Sequence, residues 1–179
     1  MFISCTSLTQ APTLPATTLA IECYNDMFYG CTSLIQVPSI LPVETLANNC
    51  CHSMFEGCTS LTKAPELPAT TLAEECYMNM FAGCSSLTQA PELPATTLAN
   101  KCYYNMFYEC TSLTSVTSIL PATTLATYCY SHMFYKCTSL TQAPALPATI
   151  LANGCYDRMF NVCTSLTQAP ALPATTLAE

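Results

Sequence analysis

The residues with the most evident chemistry are cysteines, fourteen of them in a chain of 179 residues. A thiol can act as a nucleophile, close a disulfide or ligate a soft metal, and each use demands particular neighbours. A nucleophile needs a base within hydrogen-bond reach, and the two histidines, His52 and His132, have no distinctive cysteine partner. A zinc site needs about four converging ligands, commonly through CxxC spacing, and no CxxC occurs. Acidic residues such as Glu66 and Glu92 stand at equivalent places and read as a solvated row rather than a catalytic carboxylate pair. The four glycines are too scattered to build a phosphate loop. The sequence therefore predicts no enzyme, no bound metal and no cofactor.

The cysteines are placed by a repeat. Seven precede Thr-Ser-Leu or Ser-Ser-Leu, at 5, 31, 58, 84, 110, 137 and 163, and six more fall at 23, 50, 76, 102, 129 and 155. Cys51 alone is extra, standing where the other units carry tyrosine. Successive spacings of 26, 27, 26, 26, 27 and 26 residues make the chain a tandem array, whose units bury their core only against their neighbours. Cysteines in phase with such a repeat read as small core fillers, since the free thiol is among the most buried side chains. Same-column disulfides are within reach, but a column of seven cannot pair completely.

The elements that carry these columns follow from the unit. Pro12 and Pro15 cannot donate to a sheet ladder, so any strand after Leu8 is short. Equivalent strands would pair in parallel about 4.8 Å apart, giving seven rungs a length of roughly 30 Å. Beyond Pro15, Thr17 or Thr18 could cap a helix, and Thr71 with Glu74 reads as a capping box. Leu19, Ala20, Cys23, Tyr24, Met27, Phe28 and Cys31 recur as apolar pairs every four residues, which predicts an amphipathic helix of about three turns. Gly30, Gly57 and Gly83 are suited to a left-handed helix cap, whereas Glu109, Lys136 and Val162 at the same place predict weaker helix ends. The units reading VPSILP (37–42) and VTSILP (116–121) are one residue longer, predicting a bulge or widened turn filled by Ile40 or Ile119. The Phe column at 2, 28, 55, 81, 107, 134 and 160, with its preceding Met column, is core by periodicity.

Hydrophobic residues make up 51% and charged residues 8% of the chain, yet no apolar run approaches the roughly 18 residues of a membrane span. The net charge is -7, and Lys63, Lys101, Lys136 and Arg158 lie in different repeats, so nucleic acid is not an expected partner. MFISCTSL has neither the basic nor the apolar segment of a secretory signal. ALPATTLAE at 171–179 stops as the next helix segment begins. Both ends thus read as cut from a longer array, whose flanking parts would carry any secretion signal; without them the alternative location is cytoplasmic.

Positions not dictated by packing vary between units, and among them Tyr29, Tyr108 and Tyr135 share one column, with Tyr104 and Tyr128 on neighbouring ones. Exposed aromatics suit recognition of glycans by stacking and of proteins as anchors, or simply cover apolar neighbours. On the other side, Thr9-Gln10, Thr62-Lys63, Thr88-Gln89, Thr141-Gln142 and Thr167-Gln168 form a flat, uncharged row that competes as a contact face.

The order Met-Phe-x-x-Cys-x-Ser-Leu at 27–34, 54–61 and 80–87, with variants at 106–113, 133–140 and 159–166, resembles the BspA-like leucine-rich repeats of bacterial surface proteins. The resemblance implies an α/β solenoid: a right-handed coil of about seven 26-27-residue units with one short parallel strand and one helix each, spanning residues 1-179 as a single array. It also implies a surface or secreted location and a role in adhesion to host or neighbouring-cell protein or glycan. The expected function is a non-catalytic binding scaffold using Tyr29, Tyr104, Tyr108, Tyr128 and Tyr135. The alternative is a structural spacer whose ends associate with further copies.

Overall fold

In every unit, the stretch with apolar pairs at a strict period of four folds as overlapping turns. The computed structural model describes residues 1–175; Thr176 to Glu179, where the last unit's expected helix would begin, lie outside it. Among the described residues there is no helix, which corrects the expectation of an α/β coil with one helix and one strand per unit. In the first full unit, Cys23, Asn25, Met27, Tyr29 and Cys31 each donate their backbone N–H to the carbonyl three residues earlier. The residues between them donate outward: Glu22, Tyr24, Asp26, Phe28 and Gly30 bond the carbonyls of Asn48, Cys50, His52, Met54 and Glu56 in the following unit. A helix would use all of these N–H groups internally. Here half of them close the rung and half stack it on the next.

The backbone cost of this arrangement falls on every fourth residue. Glu22, Asp26 and Gly30 have φ of 57°, 52° and 68°, and their counterparts repeat the pattern as far as Gly154, Arg158 and Val162. Each is the third residue of a turn, where a type II geometry requires positive φ. Gly30, Gly57 and Gly83 are left-handed as expected, though as turn residues rather than helix caps. Glu109, Lys136 and Val162 hold the same conformation at φ 58°, 59° and 62°, at the steric cost a Cβ incurs there. The apolar period was the distinguishing sign. A helix repeats every 3.6 residues, so a period of four drifts around it by about 40° per step, while a pair of overlapping turns advances by four.

The rest of each rung is extended chain joined to its neighbours by isolated parallel bridges rather than continuous strands. One set includes Gln10 with Gln36, Lys63 with Gln89 and Gln89 with Ser115; another pairs Thr18 with Thr45, Thr71 with Thr97 and Thr124 with Ile150. Thr71 is thus a bridge residue and not part of a capping box. The longer units add a third set, Ile40 with Glu66 and Ile119 with Ala145. Their extra residue is accommodated outside the core: Ile40 and Ile119 are exposed, while Leu41 and Leu120 continue the buried leucine column. The expectation that the isoleucines fill interior space is therefore corrected.

Between the turn side and the extended side lies a core of stacked columns. Phe2, Phe28, Phe55, Phe81, Phe107, Phe134 and Phe160 form one ladder, with ring centroids 5.5 to 5.7 Å apart and planes within 9° of parallel. Each interior ring packs between two neighbours, and stacking adds about 0.5–1.5 kcal/mol per pair to the area term. The cysteines before Thr-Ser-Leu do more than fill space. Cys31, Cys58, Cys84, Cys110, Cys137 and Cys163 each donate S–H, over 2.9 to 3.2 Å, to the carbonyl of the Phe one rung earlier. Burial pushes Cys58 up to about 12 and Cys84 and Cys110 well above the ordinary thiol value, so these groups keep the proton they donate. Cys5 is exposed and Cys23 half-buried; the other twelve are buried.

Two substitutions test this arrangement. Phe81→Ala removes a fully buried ring from the middle of the ladder and is expected to lower the unfolding free energy by about 3–5 kcal/mol in urea denaturation. Val162→Gly relieves a β-branched residue at φ 62° on an exposed site. It should raise stability by about 0.5–1 kcal/mol, the left-handed strain less the entropy glycine adds to the unfolded chain.

Candidate functional site

The turns determine which side chains meet on the outer face. Along each turn run the side chains go in and out as pairs: Cys with Tyr and Met with Phe point inward, and the pairs between them project toward solvent one rung above another. Of the five candidate tyrosines, Tyr104, Tyr108 and Tyr135 are brought into one cluster, completed by His132 and Lys136. Tyr108 and Tyr135 stack with centroids 5.1 Å apart and planes 8° from parallel. His132 connects them to Tyr104, its ring 5.5 Å from Tyr135 and 5.6 Å from Tyr104 at tilted angles. Its Nδ1 lies 2.8 Å from the hydroxyl of the buried Ser131, which fixes the ring's orientation. All of these side chains are half-buried, with one edge packed and the other open to solvent.

Charge is concentrated beside the stacked pair. Lys136 Nζ lies 5.7 Å and 5.6 Å from the centroids of Tyr108 and Tyr135 and 2.7 Å from Glu109 Oε1. Cation–π attraction and the ion pair thus hold one ammonium. The hydrogen bond from Lys136, assisted by its charge and by Tyr108, holds the Glu109 carboxyl below the usual range, and the same bond raises Lys136. Both charges are present from about pH 4.3 to about pH 10.4, the ordinary values of the two groups. Because Glu109 is depressed, the pair's contribution is lost as pH falls through the lowered folded-state value; because Lys136 is raised, it is lost at the other end as pH rises through the elevated one.

Tyr29 and Tyr128 do not join the cluster. Tyr29 is exposed and three rungs from Tyr108 in the same column, with Glu56 and Ala82 between them. Tyr128 is exposed and lies flat over Gly154, close enough that a Cβ at position 154 would collide with its ring. Sequence reasoning did not include His132, Lys136 or Glu109 in the site. The signal was available: His132 and Lys136 are four residues apart, the same turn period that sets Tyr104 against Tyr108.

The Thr-Gln row is exposed as expected, and next to it an open groove of about 390 Å³ is lined by Gln10, Pro12, Gln36, Pro38 and Lys63 among others. Thr59, Thr114, Thr138 and Thr167 donate their hydroxyls to the carbonyl of a threonine one rung earlier, so part of this threonine content serves stacking. Among the described residues no group of three or more potential metal ligands converges, and no helix is long and apolar enough to cross a membrane.

Equivalent side chains set rung upon rung, with variation concentrated on the outer face, define a tandem-repeat scaffold. The BspA type leucine-rich repeat region matches the chain in six copies, over residues 1–140 and 74–173; the chain belongs to that repeat family. It is also similar to the crystal structure of a leucine-rich repeat protein from Bacteroides ovatus, at 15% identity and a TM-score of 0.29. That match covers 98% of this chain and 64% of the other, so the chain spans less than two thirds of that protein's length. No curated protein matches the sequence.

The Lys136–Glu109 pair is testable by carboxyl NMR titration. Glu109 is expected to titrate below the ordinary carboxylate range, and Lys136→Met should move it up; an unchanged Glu109 would mean the pair does not form in solution.

Proposed function

We propose that the chain is a non-catalytic binding scaffold, part of a bacterial surface or secreted adhesin, that contacts host or neighbouring-cell protein or glycan through the turn face at Tyr104, Tyr108 and Tyr135. The observation that supports this reading is the stacked Tyr108–Tyr135 pair with Lys136 and His132 against it. An aromatic edge offers apolar area and a hydroxyl from a side chain with few torsions, so little entropy is lost on binding. The adjacent ammonium and carboxylate add direction for polar partners. Tyr29 and Tyr128 act as flanking contacts on the same side, and repetition along the stack lets individually weak contacts add. Membership of a repeat-scaffold family agrees with a binding role, and the surface location is carried by the resemblance alone.

The test is capture of the folded chain on a glycan array and on immobilised matrix proteins, comparing it with a Tyr108→Ala, Tyr135→Ala double variant. Loss of capture of at least one ligand, with the melting temperature retained, is the expected result. Equal capture by both proteins removes the tyrosine face as the site. Capture by neither, with concentration-dependent growth in sedimentation, favours the alternative of a spacer or self-assembling module.

A further inference from the structure

Cys51 interrupts a buried column that is tyrosine in the other units, at Tyr24, Tyr77, Tyr103, Tyr130 and Tyr156. Its sulfur lies 3.8 Å from that of Cys50, and both residues are fully buried and reduced. Elsewhere this depth of the rung holds one thiol, from the column of Cys76, Cys102, Cys129 and Cys155. The second unit alone presents two sulfurs side by side.

Their separation selects a chemistry. Sulfurs 3.8 Å apart subtend about 110° at a centre about 2.3 Å from each, a typical metal–thiolate length. A linear two-coordinate cation would need the sulfurs about 4.6 Å apart at the same bond length. Zinc completes a shell of four ligands, and no third Cys, His, Asp or Glu converges on the pair among the described residues. A pyramidal centre that takes two thiolates and brings its own third substituent fits the sulfurs where they stand.

We propose that Cys50 and Cys51 form a dithiol site for a monosubstituted trivalent arsenical, R–As=O. Two As–S bonds form while two S–H bonds and the As=O bond break. Both thiol protons leave with the oxygen as water, arsenic stays trivalent, and neither oxidant nor reductant is required. The substituent takes the place of the ring that is missing between Tyr24 and Tyr77. The ring bordering the interruption is also the one turned out of line: Tyr77 and Tyr103 are 19° from parallel, whereas Tyr103–Tyr130 and Tyr130–Tyr156 are at 6° and 8°. The hydrogen bond between the two sulfurs, ahead of burial, raises Cys51 and holds Cys50 below the ordinary thiol value. One sulfur of the pair attacks arsenic and the other closes the ring. Cys23 and Tyr24, on the rung in front, are only half-buried, so local opening of that rung is the route in.

The experiment treats the folded chain with one equivalent of phenylarsine oxide, followed by intact mass measurement and alkylation mapping. One adduct per chain is expected, with Cys50 and Cys51 protected and the other thiols alkylated on unfolding. Cys51→Tyr restores the residue of the other units, should melt no lower than the parent, and should lose the adduct. If that variant does not fold, Cys51→Ser, nearly isosteric, gives the same readout. An adduct retained in the folded variant, or spread over thiols of several rungs, overturns the site.

Discussion

The structure depends on how the backbone N–H groups of the turn runs are divided. In each run, one N–H bonds three residues back and the next bonds across to the following unit. Neither half suffices alone. Without the first, the chain would not turn every two residues; without the second, each rung would be an isolated loop with unpaired polar groups, which burial does not tolerate. Because the chain turns every two residues, the side chains go in and out two at a time, and this places the Cys-Tyr and Met-Phe pairs inside and the variable pairs outside. The Phe ladder, the thiol-to-carbonyl bonds and the surface tyrosine cluster all follow from that alternation.

The thiols show how a polar function can be placed inside an apolar stack. Each Phe carbonyl that accepts a cysteine S–H also accepts, within its own rung, the N–H of the residue three places on, as Phe28 does from Cys31 and Cys58. A carbonyl has two lone pairs, and here one closes the rung while the other ties it to the next. Serine would supply the same bond but with a hydroxyl that is costlier to desolvate. The small, weakly polar thiol satisfies the acceptor at little cost, which gives a physical reason for a residue that composition alone marks as filler.

The repeat, the Phe and Met columns and the burial of most cysteines were legible because periodicity reports what packing fixes. The local conformation was not, because apolar pairs at 19–20, 23–24 and 27–28 satisfy the rough template of an amphipathic helix. The discriminating features were smaller. The period was four rather than 3.6, and Asp26, Asn79, Asn105 and His132 stood at every fourth place, residue types enriched where φ is positive. At the site, the tyrosines could be named but not joined, since Tyr104 reaches Tyr135 only through His132, and rung-to-rung neighbours are set by the fold. The inward or outward choice for Ile40 against Leu41 was likewise decided by the bridge to Glu66.

Near-identical rungs also raise a question of register. A stack whose units share the same inward columns loses little core packing when one copy pairs with the wrong neighbour a full unit away, so slipped arrangements compete during folding. The differences between units then become marks of position. Glu75 with Lys101 and Glu109 with Lys136 are opposite charges that meet only in the correct order; as exposed pairs they add little stability, but a slip would part them. The longer units fit opposite Glu66 and Ala145 through bridges the shorter ones do not make. Irregularities in an otherwise uniform ladder thus work as an address system, telling each rung which neighbour is its own.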